Sequence, residues 1–138
     1  MSLLKQESLS KSLNQKIIFG MKFIKYLAIF YVLKAFYPFK TLVKTLKRTS
    51  NVKPAGMGKL PLGLLKRLFN RFKIHNCLTY AYMTKVFFNE YGLDSVLFVG
   101  VKKDKEKFLS HSWVEFNGNC FQPNHINVSE FDVILRIE

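Results

Sequence analysis

After Gly92 the apolar residues of this 138-residue chain change their period, and that change limits the fold more than any other feature. Upstream, Leu62, Leu65, Leu68, Phe69 and Phe72 recur at intervals of three and four, with Lys66, Arg67, Asn70 and Arg71 between them. That is the spacing of an amphipathic helix. Downstream, SVLFVGVK (95–102) and FLSHSWVEF (108–116) are rich in β-branched and aromatic residues and read as strands. Asn117-Gly118 is the strongest short hairpin signal, NCFQ (119–122) is the return strand, and FDVILRIE (131–138) closes the sheet. Helices come first, and one of them feeds an antiparallel sheet, so the expected class is α+β.

Within the helical half, residues 1–15 read as frayed. A helix is expected from about Asn14 to Tyr37, stopping before Pro38, because proline disfavours helical geometry in the residue before it. A short helical continuation, FKTLVKTLKR (39–48), follows. TSNVKPAGMGK (49–59), with Pro54, Gly56 and Gly58, is the best linker. The chain therefore divides into a basic helical lead-in with its linker, 1–59, and a core, 60–138, expected to form one compact domain. Asn76 is a good N-cap, and Cys77, Ala81, Thr84, Phe88 and Tyr91 then trace one helical face, which Gly92 ends in the left-handed region. The apolar stretch 17–39 is interrupted by Lys22, Lys25 and Lys34. Each would cost about 2.5–3.5 kcal/mol at a bilayer centre, so a buried or surface-lying helix is expected rather than a span.

Charge is uneven. Residues 1–73 hold 16 Lys and Arg against Glu7 alone, a net +15, while residues 74–138 are at −2. A basic half suits an acidic partner such as a peptide or an anionic membrane face, unless it is only a solvated lysine-rich surface. Its basic residues are interleaved with apolar helix positions and no nucleic-acid-binding signature accompanies them, so no nucleic acid is expected. Cys77 and Cys120 are too few for a disulfide framework and form no C-x-x-C, so neither a metal nor a cofactor is expected and a reducing, cytoplasmic setting is. The polar opening MSLLKQESLSKSLNQ, with no small-residue cleavage site after the apolar stretch, does not read as a secretory signal.

Cys77 sits where a reactive thiol belongs. The free amides and dipole of a helix N-terminus favour an anion, and the thiolate is the nucleophilic form. A backbone amide there can also hold an oxyanion. The same residue would equally serve as a small buried hydrophobe. His111 lies on a strand where alternation places His111, Trp113 and Glu115 on one face and Ser110, Ser112 and Val114 on the other. If its imidazole faces the Cys77 helix end it can take the thiol proton and return it to a leaving amine. His75 and His125, in loops, are the rival histidines.

A helix-end cysteine followed by a strand histidine is the order of the papain and transglutaminase sites. The runs N-C-L-x-x-A (76–81), G-L-x-S-x-L-F-V-G-V (92–101) and H-S-W-V-E-x-N-G (111–118) resemble the leader peptidases of lasso-peptide biosynthesis, small transglutaminase-like cysteine proteases. FYVLKAFYPFKTLVK (30–44) is similar to that family's helical lead-in, so the resemblance covers roughly residues 17–122. It implies a transglutaminase- or papain-like core, with a catalytic helix packed on a small antiparallel sheet. It also implies a hydrolase that cleaves the leader from a ribosomally made precursor through a Cys77-His111 acyl-enzyme.

The family's third catalytic residue is an Asp about twelve residues past the histidine, and this chain has Pro123 there. If Asn117-Gly118 makes a two-residue turn, Phe116 pairs with Asn119 and Asn124 falls opposite His111, giving Cys77-His111-Asn124. Gln122, on the same face one step nearer the turn, is the second choice. Asn76 and Trp113 are expected to support the site, and Cys120 to be structural. The partners implied are the precursor leader, a separate leader-recognition protein and an ATP-dependent macrolactam cyclase. An anionic membrane surface is a further candidate, with the protein peripheral at the inner face. Two other functions stay open: acyl transfer of transglutaminase type, and a non-catalytic peptide- or membrane-binding scaffold.

Overall fold

The computed structural model describes the backbone of residues 2–50 and 60–138, and the side chains of residues 12–46 and 60–138. The elements are α1 (Ser2–Phe36), α2 (Phe39–Ser50), α3 (Leu62–Arg71), α4 (Cys77–Glu90), β1 (Val96–Asp104), β2 (Lys107–Phe116), β3 (Asn119–Phe121) and β4 (Asp132–Ile137). The class is α+β: four helices and one antiparallel four-stranded sheet. The stretch expected to fray is helical, α1 starting at Ser2. Its Leu, Lys, Gln and Glu are good helix formers and it has no Gly or Pro before Gly20. The linker expected around Pro54, Gly56 and Gly58 lies outside the described residues.

α4 is the centre of the molecule. Every residue from Thr79 to Asn89 is buried, so the one-faced pattern read from the sequence understates it. Phe19 and Phe23 of α1 meet Phe87, Leu42 and Leu46 of α2 join the same core, and Phe69 of α3 stacks on Tyr80 with ring centroids 4.1 Å apart. On the sheet side Phe88 contacts Phe116 and Phe121. Enclosure by elements on every side explains why α4 carries no solvent-facing polar stripe, even its Thr79, Thr84, Lys85 and Asn89 being buried.

Two left-handed residues frame this helix. Lys73, at φ 53°, closes α3 with Lys73 N–H donating to Asn70 O and Ile74 N–H to Phe69 O. Gly92, at φ 69°, closes α4 in the same way through Asn89 and Phe88. The sheet order is β3-β2-β1-β4. Asn117 and Gly118 both have positive φ, as a type I′ turn requires, and Phe116 pairs with Asn119 as expected. The β1–β2 hairpin turns at Lys105-Glu106, with Lys105 at φ 57°, a position without glycine in the sequence.

β3 and β4 lie on opposite edges of the sheet, so the connection 122–131 has to cross it. Val114 and Phe116 point toward α4, and by alternation His111, Trp113 and Glu115 point to the other face. The connection crosses on that second face, where Phe131 meets both His111 and Trp113. Lys102 pins it through an ion pair to Glu130 at 2.8 Å. Gly100 permits the crossing: a Cβ there would sit 2.9 Å from Phe131 Cβ and 3.1 Å from the Trp113 ring. Among the described residues no helix is long and apolar enough to cross a membrane.

Candidate functional site

Cys77 is the first residue of α4, half-buried and not in a disulfide. Asn76 caps the helix as expected, its Oδ1 accepting from Leu78 N–H at 3.0 Å and Thr79 N–H at 3.2 Å. The Tyr80 amide is taken by Asn76 O. Among the described residues no acceptor is recorded for the Cys77 N–H, which leaves that amide available beside its own sulfur. The sequence produces this because Asn at an N-cap satisfies two first-turn amides from the residue next to the cysteine.

His111 is 3% exposed. Its Nε2 lies 2.5 Å from Gln122 Oε1, and Gln122 Nε2 donates to Ile126 O at 2.9 Å. A carbonyl can only accept, so the amide nitrogen of Gln122 must face Ile126 and its oxygen must face the ring. The ring nitrogen Nε2 is therefore the donor, and in the neutral imidazole Nδ1 keeps its lone pair. Trp113 stacks beside the ring at 5.9 Å and donates its own N–H to Glu115 Oε1 at 3.1 Å.

His111 donates to Gln122, not to Asn124. The register read from the turn is right, but the β2–β3 ladder ends at Val114–Phe121. Pro123 has no N–H with which to extend it, and the chain bends away, leaving Asn124 exposed with its carbonyl accepting from Ile126 N–H. A second expectation also changes. The imidazole stands on the sheet face away from the body of α4, beneath the crossing connection, and makes no hydrogen bond with the Cys77 thiol.

A cavity of about 240 Å³ lies between the end of α3, the start of α4 and the chain after β3, and neither Cys77 nor His111 lines it directly. Ile74, His75 and Tyr80, from either side of Cys77, line it together with Gln122, Pro123 and His125. Lys66, Phe69 and Asn70 of α3 complete the wall, and no carboxylate contributes. Gln122 thus faces the cavity and holds the His111 ring. His75 and His125, the rival histidines, both line this cavity. Cys120 is exposed on β3 opposite Glu115. Its thiol is pushed up first by local desolvation and then by the Glu115 carboxylate, both of which disfavour the nucleophilic thiolate. Sequence reasoning missed Ile126 and Phe131. One acts through its backbone and the other through a crossing that only the strand order creates, so neither leaves a local signal.

Comparison with known proteins gives two findings. A family model described as the transglutaminase-like superfamily matches residues 35–136. The chain is 45% identical over 68 residues to the microcin J25-processing protein McjB of Escherichia coli. That match spans 49% of this chain and 31% of the relative, so the chain corresponds to about a third of that protein. No solved structure matches significantly.

Proposed function

The chain belongs to the transglutaminase-like superfamily, and from that premise we propose that it is a cysteine peptidase removing the leader from a ribosomally made, lasso-type precursor. The observation that carries this reading is a cavity lined both by residues flanking Cys77 (Ile74, His75 and Tyr80) and by Gln122, the side chain hydrogen-bonded to His111. The similarity to a microcin-processing protein supports the choice of substrate.

In this reading the precursor segment enters along the cavity, and the Cys77 thiol gives its proton to His111 Nδ1. The sulfur bonds to the scissile carbonyl carbon while the carbonyl oxygen takes up charge against the free Cys77 amide. The C–N bond breaks as the imidazolium protonates the leaving amine. Water, deprotonated by the same ring, then releases the acyl group and restores the thiol. Thiol and ring make no hydrogen bond, so this proton transfer requires substrate binding to bring the two within reach. The expected partners are the leader, a separate leader-recognition protein and an ATP-dependent macrolactam cyclase, with no nucleic acid.

The test is mass spectrometry of precursor incubated with the protein and its recognition partner. Cys77→Ala and His111→Ala should each leave the precursor intact, and Cys120→Ala should cleave it. Full cleavage by Cys77→Ala would end the peptidase reading. An amine added to the reaction and found on the product would mark acyl transfer instead. A second reading is favoured by one observation: His111 is sealed under Phe131 and Trp113 on the face away from α4. If the wild-type protein binds the leader but never cleaves it, the chain is a binding scaffold on a transglutaminase-like core.

A further inference from the structure

α1 has two apolar faces, and the core uses one of them. Phe19, Phe23 and Phe30 are 0–4% exposed and turn into the helical core. Residues two positions away lie about 200° round a helix of 3.6 residues per turn. That opposite row is apolar as well: Leu13, Ile17, Met21, Ile24 and Tyr31 are 52–65% exposed. It runs for roughly 27 Å at a helical rise. Phe36, 80% exposed, continues the apolar surface at the corner with α2. A contiguous exposed apolar row of this size on a folded protein marks an interaction surface.

The charges beside the row say what covers it. Lys16 and Lys25 lie one residue from the row and Lys34 three, which sets them on its flanks, and all three are exposed. No Asp or Glu occurs between residues 12 and 46. A second copy of the chain pressed on this face would bring lysine flank against lysine flank, with no carboxylate among residues 12–46 to pair them. An anionic surface meets both demands, an apolar layer for the row and negative groups for flanking lysines whose long stems can reach outward. Among the described residues no helix is long and apolar enough to cross a bilayer, so α1 would lie along one. We propose that the exposed face of α1 seats the protein in the plane of an anionic lipid surface.

Sedimentation of the full chain with vesicles tests this, independently of any peptidase activity. Binding is expected to vesicles of equal parts phosphatidylcholine and phosphatidylglycerol, and not to phosphatidylcholine alone. Replacing Lys16, Lys25 or Lys34 with Gln should weaken it about five-fold per residue. The triple change Ile17→Ser, Met21→Ser, Ile24→Ser removes apolar surface only from the exposed row and should abolish binding with the melting temperature unchanged. Should that variant melt early, Ile24→Trp supplies an independent reading: its emission should shift to the blue on the anionic vesicles and not on the neutral ones. Equal binding to neutral vesicles, undiminished binding of a folded triple variant, or an unshifted tryptophan would each overturn the proposal. So would a chain that ignores both vesicles and instead self-associates, or pairs with an acidic protein, through this row.

Discussion

Gln122 offers His111 a neutral oxygen where the sequence resemblance implied a carboxylate. An amide anchored on the Ile126 carbonyl can set the tautomer and hold the ring plane, but it would not balance the imidazolium of the proposed attack. Gln122→Ala should therefore lower kcat by an order of magnitude or more with little change in KM, and Gln122→Glu should match or exceed the native turnover. Asn124→Ala should leave both constants near wild type. Loss of kcat in Asn124→Ala with none in Gln122→Ala would reverse the assignment. This detail was half legible in the sequence. The Asn117-Gly118 turn gave the register, but where the ladder stops depends on Pro123 and on the bend after it, which no strand pattern records. The two thiols make a second prediction at this scale. Burial and Glu115 hold the Cys120 thiol up, whereas Cys77 opens a helix. Iodoacetamide at pH 7 should label Cys77 first, as read by peptide mass, and faster labelling of Cys120 would remove the reason for choosing between them.

At the scale of elements, the connection 122–131 is held to the sheet at Gln122, Glu130 and Phe131. The tightest point is Gly100, where β1 also slips one residue against β4 in a bulge between Val99 and Gly100. Gly100→Ala would drive a methyl group into Phe131 Cβ, which cannot swing aside, and into the Trp113 ring. Overpacking of this kind costs about 1–3 kcal/mol. Thermal unfolding should show that loss, and activity should fall further than stability because Phe131 covers His111. A variant of unchanged melting temperature would mean that the connection moves freely. Such a contact was not readable beforehand. Helix caps, the alternation of β2 and the Asn-Gly turn are local and were legible, whereas the pairing of β4 with β1 rather than β3 is a long-range choice. The sealing of α4 on every side is a long-range result too: its residues carry no stripe because neighbours arrive from all directions.

Across the whole molecule, the groups that the core desolvates make stability depend on alkaline pH in two opposed ways. Lys85, 2% exposed in the middle of α4, donates to Ser95 O and Ser95 Oγ, tying the central helix to the start of the sheet. Burial, only partly offset by Asp94 and Glu138, lowers its pKa from 10.5, so the unfolded chain binds the proton more tightly than the folded one. Stability from this group therefore rises with pH, from its lowered folded value up to 10.5. The tyrosines act in the other direction. Tyr82, by burial, and Tyr26, by burial and the Glu90 carboxylate that its hydroxyl meets at 3.0 Å, are pushed up to about 12. Their contribution is complete below pH 10 and is lost as pH climbs to about 12. Urea midpoints should accordingly increase from neutral pH toward pH 10 and fall beyond it. Lys85→Met should flatten the rising limb alone, because it leaves Tyr26 and Tyr82 in place, and Tyr26→Phe should make the falling limb shallower. A midpoint that falls steadily from pH 7 upward in the wild-type protein would show that the Lys85 ammonium is not disfavoured by folding, and that its bonds to Ser95 hold the charge in the core.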